Sequence, residues 1–313
     1  MERSFPKPSP STAVLLLLPL FLLILIVLVL YPHESELQSL VTSCRPSRSA
    51  SFIESATPKP NFRLFIGILT LPDHYERRHL LRLVYSLQPK LTTAHVDIRF
   101  VFCNLTNDDQ HVLIALEIMR FDDILILDCA ESMDDGKTYA YFSSLPKLLN
   151  GTNNGGGRPY DYVMKADDDI YIRLQELVES LRNKPREDVY YGRVIQCYET
   201  DPYKGYMSGM GYVLSWDLVE WIATSEMVRN HTVGPEDRVM AGWLKDGERG
   251  KNRFNEKPAM YNYPEGRLNP CMHEFMPDTV AVHQLKDNSR WARTLKYFNV
   301  THAFKPSTLY HIP

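Results

Sequence analysis

Residues 160–171 read Tyr-Asp-Tyr-Val-Met-Lys-Ala-Asp-Asp-Asp-Ile-Tyr, a stretch that joins an apolar segment to three consecutive acids. The apolar segment predicts a buried strand over residues 160–165. Asp167, Asp168 and Asp169 follow it. Because adjacent carboxylates repel one another, they need a cation or hydrogen-bond donors beside an apolar sheet. Their oxygens suit Mg²⁺ or Mn²⁺. A solvated acidic turn before the next helix is the alternative.

The chain before this strand alternates β-rich segments with amphipathic ones, which predicts an α/β protein. Strands are expected at residues 62–69, 95–103 and 123–128, and helices at residues 73–87, 107–119 and 138–149. We expect Asp73 and Asn107 to cap the first two helices. The second helix is expected to bury its apolar residues Val112, Leu113, Leu116 and Met119. The alternation predicts a mostly parallel sheet with helices on both faces, and ligands of such sheets bind beyond the carboxyl ends of the strands.

The second half of the chain is more mixed. Short strands are predicted at residues 189–195, 212–215 and 279–285. Helices are predicted at residues 217–227 and 236–245. This part of the sequence contains no internal repeat.

The first 61 residues differ in character from the rest. Residues 13–31 contain no charged side chain, and as a helix they would span roughly 28 Å, close to the thickness of the hydrocarbon core of a bilayer. We predict a cytosolic tail at 1–12, a transmembrane anchor at 13–31, a Ser-, Thr- and Pro-rich stem at 32–61 and a lumenal body at 62–313. The basic residues before the apolar segment favour this orientation, and a cleaved signal peptide is the alternative.

Charge and cysteine content restrict the class of protein further. The 313 residues carry a formal net charge of −3, which argues against a nucleic-acid-binding protein. A lumenal compartment would permit disulfides among the five cysteines, although Cys103 and Cys129 also fit buried free thiols at strand ends. Asn-x-Ser/Thr sequons predict a glycoprotein and occur at Asn104, Asn150, Asn230 and Asn299.

Five segments, taken in order, resemble glycosyltransferase family 31, the β-1,3-galactosyl/N-acetylglucosaminyltransferase group with the GT-A fold. Residues 165–171 resemble its Asp-x-Asp region. The other four are the basic helix at 77–82, residues 121–128 with Lys137-Thr138, the Gly-rich stretch 206–215, and Glu236-Asp237 with the later His283. The resemblance covers about residues 62–290. The chain departs from the family pattern at Val84, Tyr85 and Arg238.

The resemblance implies an inverting, metal-dependent transfer of a hexose, galactose or N-acetylglucosamine, from a UDP-sugar to an acceptor hydroxyl, forming a β-1,3 linkage. It implies that Mn²⁺ or Mg²⁺ is held by Asp169 and His283, with His273 as a competing ligand. The nucleotide would be bound by Arg78, Arg82, Asp167 and Asp168, although the two arginines equally fit structural ion pairs. The general base would be Asp237, with Glu236 as the alternative; either acid also fits an ordinary helix N-terminus.

The resemblance also implies a place in the cell and a set of partners. We expect a single-pass type II protein of the Golgi membrane with its catalytic domain in the lumen. The acceptor would be a glycan or a glycoprotein, and a homodimer is left open. The rival hypothesis is a catalytically degenerate carbohydrate-binding or partner subunit of the same fold.

Overall fold

The fold was analysed in a computed structural model that describes residues 60–149, 157–305 and 307. These residues lie in one compact unit, Pro58–Pro313. The predicted cytosolic tail, the predicted anchor, all but the last residues of the predicted stem, and the sequon at Asn150 lie outside the described residues. Within the described residues, no helix combines the length and the apolar character needed to cross a membrane.

The secondary structure follows the predicted order, with several additions in the second half. The strands are β1 Phe62–Leu69, β2 Ala94–Phe102, β3 Ile124–Ile126, β4 Tyr162–Asp167, β5 Tyr171–Ile172, β6 Val189–Val194, β7 Met207–Ser215, β8 Asn252–Asn255, β9 Met260–Asn262 and β10 Ala281–His283. The helices are α1 Tyr75–Ser86, α2 Asp108–Phe121, α3 Lys137–Leu149, α4 Leu174–Arg182, α5 Trp216–Thr224, α6 Glu226–Arg229, α7 Glu236–Asp246 and α8 Asn288–Tyr297. Strands β5, β8 and β9 and helix α8 were not predicted. The three strands are only two to four residues long, and segments this short carry little periodicity.

Seven strands form the main sheet in the order β3-β2-β1-β4-β7-β6-β8. Strand β7 pairs antiparallel with both β4 and β6, whereas the other pairs in this sheet are parallel. The prediction of a mostly parallel α/β sheet is therefore confirmed.

The side chains of β1 alternate between two apolar cores, one on each face of the sheet. Leu64 and Ile66 belong to a core that includes residues of α1, α4 and α8. Phe65 and Leu69 belong to a second core that includes residues of α3, α5 and α7. This arrangement follows from the two-residue period of a strand that is buried on both faces, and it confirms helices on both faces.

The two predicted helix caps had different outcomes. The Asn107 side chain accepts a hydrogen bond from the Gln110 N–H, so this cap is confirmed. The cap at Asp73 was wrong, since α1 begins at Tyr75 and its N-cap, His74, makes no side-chain capping bond. The Asp73 carboxylate instead accepts from the Gln110 side chain at 3.0 Å, which ties the start of α1 to α2.

The predicted buried face of α2 was also wrong. Exposure ranges from 43% to 84% for the side chains expected to be buried, Leu113, Leu116, Val112 and Met119. The buried side of α2 instead carries Glu117, which is 4% exposed. The guanidinium groups of Arg78 and Arg82 on α1 both contact the Glu117 carboxylate. Because two buried cations need a buried acid, this ion cluster determines how α2 is rotated.

Two disulfides cross-link the unit. Cys103 at the end of β2 is bonded to Cys129 after β3, so these two residues are not free thiols. Cys197 after β6 is bonded to Cys271 between β9 and β10. Both bonds close loops at or beside the carboxyl end of the main sheet. The fifth cysteine, Cys44, lies outside the described residues.

Three short strands form a smaller sheet in the order β5-β10-β9. Its first strand, β5, follows the acidic triplet in the chain. Strand β10 pairs antiparallel with β5 and parallel with β9. Since β5 begins only two residues after Asp169, this pairing brings the end of β10 back to the triplet. The Leu285 N–H donates to the Asp169 carbonyl at 2.9 Å and closes the connection.

Glu117→Gln tests the role of the buried ion cluster in the fold. The substitution leaves two buried guanidinium groups facing a neutral amide, so we expect the free energy of unfolding to fall by about 3 to 5 kcal/mol. Chemical denaturation would measure it. Arg120→Gln, which removes an exposed charge from the same helix, is the matched control and should change stability by less than about 0.5 kcal/mol. Equal effects of the two variants would contradict a determining role for Glu117.

Candidate active site

The acidic triplet lies between the end of β4 and the start of β5, at the carboxyl edge of the main sheet. Strand β4 is buried between β1 and β7 and carries the backbone to Asp167. Asp168 and Asp169 are themselves 9% and 8% exposed. Carboxylates this deeply placed need specific partners, and the structure gives each of the three a different set.

Asp167, Asp169 and His283 converge on one point. Nε2 of His283 lies 3.0 Å from Asp169 Oδ1 and 3.3 Å from Asp167 Oδ2. One ligand atom from each residue lies within 4.8 Å of the others, a spacing at which the three could hold a metal ion. We call this group the acidic trio. It contains both predicted metal ligands, together with Asp167, which was assigned to the nucleotide.

The His283 imidazole is oriented by Asn262 on the neighbouring strand β9. Asn262 and His283 are paired across the small sheet, and the Asn262 Oδ1 lies 3.1 Å from Nδ1 of His283. A proton on Nδ1 leaves Nε2 as the atom that faces the two carboxylates, the usual arrangement for a histidine ligand. Burial opposes protonation of this ring, but hydrogen bonds with Asp167 and Asp169 outweigh it and raise the pKa of His283.

Lys165 occupies the centre of a second group of polar contacts. Its side chain is 1% exposed, and its Nζ lies 2.6 Å from Asp167 Oδ1 and 2.8 Å from Glu236 Oε1. It also donates to the Gly209 carbonyl. Burial would raise the pKa of Asp167, but the charge of Lys165 and the contact with His283 lower it to about 2. Asp167 therefore presents an ionised oxygen to the trio at neutral pH.

Gly209 lies where Glu236 approaches β7. A Cβ atom on this residue would lie 2.3 Å from Glu236 Oε1, so a larger residue would displace the carboxylate from its contacts with Lys165 and Tyr212. At Gly209 the close approach is made by the protein's own carboxylate.

Glu236 and Asp237 open α7 but occupy different environments. Glu236 is held by Lys165 on one oxygen and by the Tyr212 hydroxyl, at 3.0 Å, on the other. Burial raises the pKa of Glu236 despite the opposing charge of Lys165. Asp237 is half-buried, and one of its oxygens accepts from the Arg238 N–H at 2.9 Å. Glu236 therefore has partners on both carboxylate oxygens, whereas Asp237 has the more accessible carboxylate.

Asp168 points to the loop between β1 and α1. One of its oxygens accepts from the Thr70 hydroxyl at 2.6 Å and contacts Nδ1 of His74, and the other accepts from Arg77 at 2.9 Å. The structure thus separates Asp168 from the acidic trio. Its immediate effect is to hold the β1–α1 loop against the end of β4.

The two arginines predicted to contact the nucleotide are engaged elsewhere. Arg78 is fully buried and bonds Glu117 and the carbonyls of Leu71 and Pro72. Arg82 makes a two-pronged contact with Asp123 at 2.8 and 2.9 Å. Neither guanidinium hydrogen-bonds the triplet, and these are the structural ion pairs that the sequence left as an alternative. Arg77 is the member of this basic helix that reaches it.

His273, the competing metal ligand in the prediction, lies apart from the trio. Its two ring nitrogens lie 2.9 Å from the Glu274 carbonyl and 3.0 Å from the Pro258 carbonyl. Its ring packs against Tyr261, with 4.1 Å between the ring centroids. The structure therefore favours His283 over His273.

A cleft of about 220 Å³ opens beside the triplet, and Asp167, Asp168 and Asp169 all line it. Thr70, His74, Glu131 and Lys137 line it from the β1, α1 and α3 sides. Lys137 is buried and donates to Glu131 and to the Thr70 carbonyl, and burial lowers its pKa although Glu131 opposes this. We call this the donor-side cleft.

Sequence reasoning missed several of these residues. Lys165, Arg77 and Lys137 lay inside the segments that carried the family resemblance, yet they had no assigned role. The available signal was a cation within a few residues of an acid cluster. Asn262 had no such signal, because only the pairing of β9 with β10 brings it to His283.

The fold and the site together define a class, an α/β protein with an acidic trio at the carboxyl edge of a mostly parallel sheet. Residues 76–200 match the family model described as Galactosyltransferase. A β-1,3-galactosyltransferase of Schizosaccharomyces pombe, pvg3, is 24% identical over 72% of this chain and 71% of its own length.

Plant relatives are matched over a smaller share of their length. The hydroxyproline O-galactosyltransferase GALT2 of Arabidopsis thaliana is 23% identical over 61% of this chain, but the match spans only 30% of the plant protein. The family resemblance predicted from the sequence is confirmed by these findings, as is the expectation that the chain is a glycosyltransferase.

The chain is also similar to solved structures, at lower sequence identity than to these relatives. The galactosyltransferase LgtC aligns with a TM-score of 0.40 and 11% identity, over 78% of this chain and 97% of LgtC. A mannosyltransferase from Pyrobaculum calidifontis, in complex with GDP-Man and Mn²⁺, aligns with a TM-score of 0.42 and 12% identity over 80% of this chain and 67% of that one.

Lys165→Met tests whether the buried ammonium group holds the site together. The variant leaves the half-buried carboxylates of Asp167 and Glu236 without their buried cation, so we expect the free energy of unfolding at pH 7 to fall by about 2 to 4 kcal/mol. Their pKa values should rise above those of the unfolded chain, so stability should be regained as the pH falls to 5. Denaturation at both pH values would measure this. Lys147→Met, at an exposed position of α3, is the control. A loss that does not depend on pH would contradict the proposed charge pairing.

Proposed function

We propose that the chain transfers a hexose from a UDP-sugar to a hydroxyl of a glycan or glycoprotein, with inversion to a β-1,3 linkage and with a divalent metal. The observation that carries the proposal is the acidic trio at the carboxyl edge of the sheet, within a chain whose residues 76–200 match galactosyltransferases. The similarity to galactosyltransferases supports galactose as the first donor sugar to test.

The trio fits a divalent cation by its chemistry. Two carboxylate oxygens and one imidazole nitrogen converge within 4.8 Å, and Mn²⁺ accepts both atom types whereas Mg²⁺ prefers oxygen. Asp167, Asp169 and His283 would hold the ion, with Asn262 orienting the imidazole. A bound Mn²⁺ or Mg²⁺ would neutralise the charge that develops on the departing diphosphate.

The donor-side cleft fits the nucleotide end of the donor. It lies at the carboxyl ends of β1 and β4, where ligands of parallel sheets bind. Lys137 and His74 line it and supply groups that can donate to a nucleotide. Asp168 would act by positioning the β1–α1 loop that forms one wall, since its oxygens are occupied by Thr70, His74 and Arg77.

Asp237 is the proposed general base, because it is the less engaged of the two acids at the start of α7. It would take the proton of the acceptor hydroxyl as the new glycosidic bond forms and the bond to the diphosphate breaks. Glu236 is less suited to this task, since Lys165 and Tyr212 occupy both of its oxygens. Attack from the side opposite the leaving group predicts a β-linked product.

We also propose that the chain is a type II protein of the Golgi membrane, anchored by residues 13–31. The uncharged stretch of the sequence supports the anchor. The two disulfides of the described body support an oxidising compartment, because such bonds are rare in the cytosol.

Removal of metal ligands tests the role of the trio. Asp169→Asn and His283→Ala should each weaken Mn²⁺-dependent UDP binding by at least about tenfold, since each removes a ligand atom. Calorimetry with and without Mn²⁺ would measure the binding. His273→Ala is the matched control and should bind as the unchanged chain does. Transfer from a UDP-sugar that survives complete chelation would contradict metal dependence.

Asp237→Asn tests the assignment of the base. The amide cannot accept the proton, so transfer from UDP-galactose should fall by about 10²- to 10⁴-fold, while UDP binding should persist. Asp246→Asn, at the other end of the same helix, is the control. Retained turnover would move the base to another group, and an α-linked product, identified by NMR, would contradict inversion.

A further inference from the structure

Arg193 on β6 is a buried cation with no acidic partner among the residues that the structure describes. The residue is 4% exposed, and one of its terminal nitrogens donates to the Ser208 hydroxyl at 2.9 Å. Its Nε is buried, and no group in the described part of the chain hydrogen-bonds it. None of the ion pairs among the described residues includes it. Burial lowers the pKa of Arg193 to about 10, so the group remains charged at neutral pH.

The other buried cations of the described residues all have carboxylate partners. Arg78 contacts Glu117, Lys137 contacts Glu131, and Lys165 contacts two acids. Because an unpaired buried charge is destabilising, Arg193 departs from the pattern that the rest of the chain follows. Such a group is expected where a ligand supplies the missing negative charge.

Arg193 lines a cleft of about 330 Å³ that also reaches His283 of the trio. No carboxylate lines this cleft; its polar side chains include Ser208, Asn262 and Asn269. Both asparagine oxygens have partners, His283 for Asn262 and the Cys271 N–H for Asn269, which leaves amide N–H groups for a ligand. The Cys197–Cys271 disulfide forms part of the wall. We call this the Arg193 cleft.

A second cation adds to the positive character of this region. Nζ of Lys257 donates to the carbonyls of Gln196, Cys197 and Glu199 beside the cleft. Burial lowers the pKa of Lys257 and the nearby charge of Arg193 lowers it further, whereas the charge of Glu199 opposes both. Within the described residues Lys257 makes no ion pair, so the two cations face one nearby acid.

We propose that the Arg193 cleft binds the carboxylate of an acidic sugar in the acceptor. A guanidinium group matches a carboxylate with two parallel hydrogen bonds, and the amide and hydroxyl groups of the cleft suit the ring oxygens of a sugar. The inference rests on the proposed function, since His283 is the residue that the cleft shares with the trio. The donor-side cleft has a separate lining, so an acceptor sugar in the Arg193 cleft would not compete with the donor for the same residues.

The test compares two sugars that differ in one group. Binding of D-glucuronate and of D-glucose to the full-length chain is measured by calorimetric titration with saturating UDP and Mn²⁺. Glucuronate should bind at least about tenfold more tightly than glucose, because a hydrogen-bonded charge pair is lost in the neutral sugar. Arg193→Met should remove this difference, whereas Arg229→Met, which deletes an exposed guanidinium, should keep it. Arg193→Lys should keep part of it.

Three results would overturn the proposal. One is equal binding of glucuronate and glucose to the unchanged chain, a measurement that needs no variant to fold. Another is a glucuronate preference that survives Arg193→Met. The third is a tenfold or greater loss of Mn²⁺-dependent UDP binding in Arg193→Met, which would assign Arg193 to the diphosphate of the donor. UDP binding by the unchanged chain, measured alone, separates failure of this proposal from failure of the proposed function.

Discussion

The contacts of the Lys165 ammonium group are the constraint on which the rest of the site depends. One buried cation joins Asp167 at the end of β4, the Gly209 carbonyl on β7 and Glu236 at the start of α7. It thereby fixes the acidic trio relative to the helix that carries the proposed base. Strand β4, its antiparallel neighbour β7 and helix α7 meet at this ammonium group, and the Lys165 side chain is buried. A charge at this depth is tolerated because two carboxylates and a carbonyl surround it. The pairing also keeps one oxygen of Asp167 ionised and turned to the trio.

A second constraint is the small sheet that returns the chain to the triplet. His283 is far from Asp169 in sequence, and it is placed by β10 pairing with both β5 and β9. The pairing with β9 also supplies Asn262, which orients the imidazole. The main sheet therefore supplies the acids of the trio, and the small sheet supplies the nitrogen ligand with its support. This division explains why two carboxylates and a histidine converge without lying in one sequence motif.

Charge is distributed unevenly around the trio. The donor-side cleft contains the acids of the triplet, together with Lys137 already bonded to Glu131. The Arg193 cleft contains a cation and amide groups, and no acid. A substrate that spans both would meet carboxylates, with any bound metal, on one side and a guanidinium group on the other. The near-neutral total charge of the chain conceals this local asymmetry, because Lys and Arg are almost balanced by Asp and Glu.

Local sequence patterns were sufficient for the strands and helices of the first half of the chain, for the sheet type, for the Asn107 cap and for the acidic triplet after β4. These features depend on periodicity and on neighbours within a few residues. The partners of buried polar groups were decided only by the tertiary structure. The apolar face of α2 is exposed because Glu117 must meet Arg78 and Arg82, which lie on another helix. The disulfide pairing, the contacts of Lys165 and the unpaired charge of Arg193 likewise depend on residues brought together from distant segments. A sequence pattern reports which side chains are available, but the energy of a buried charge depends on what the fold places beside it.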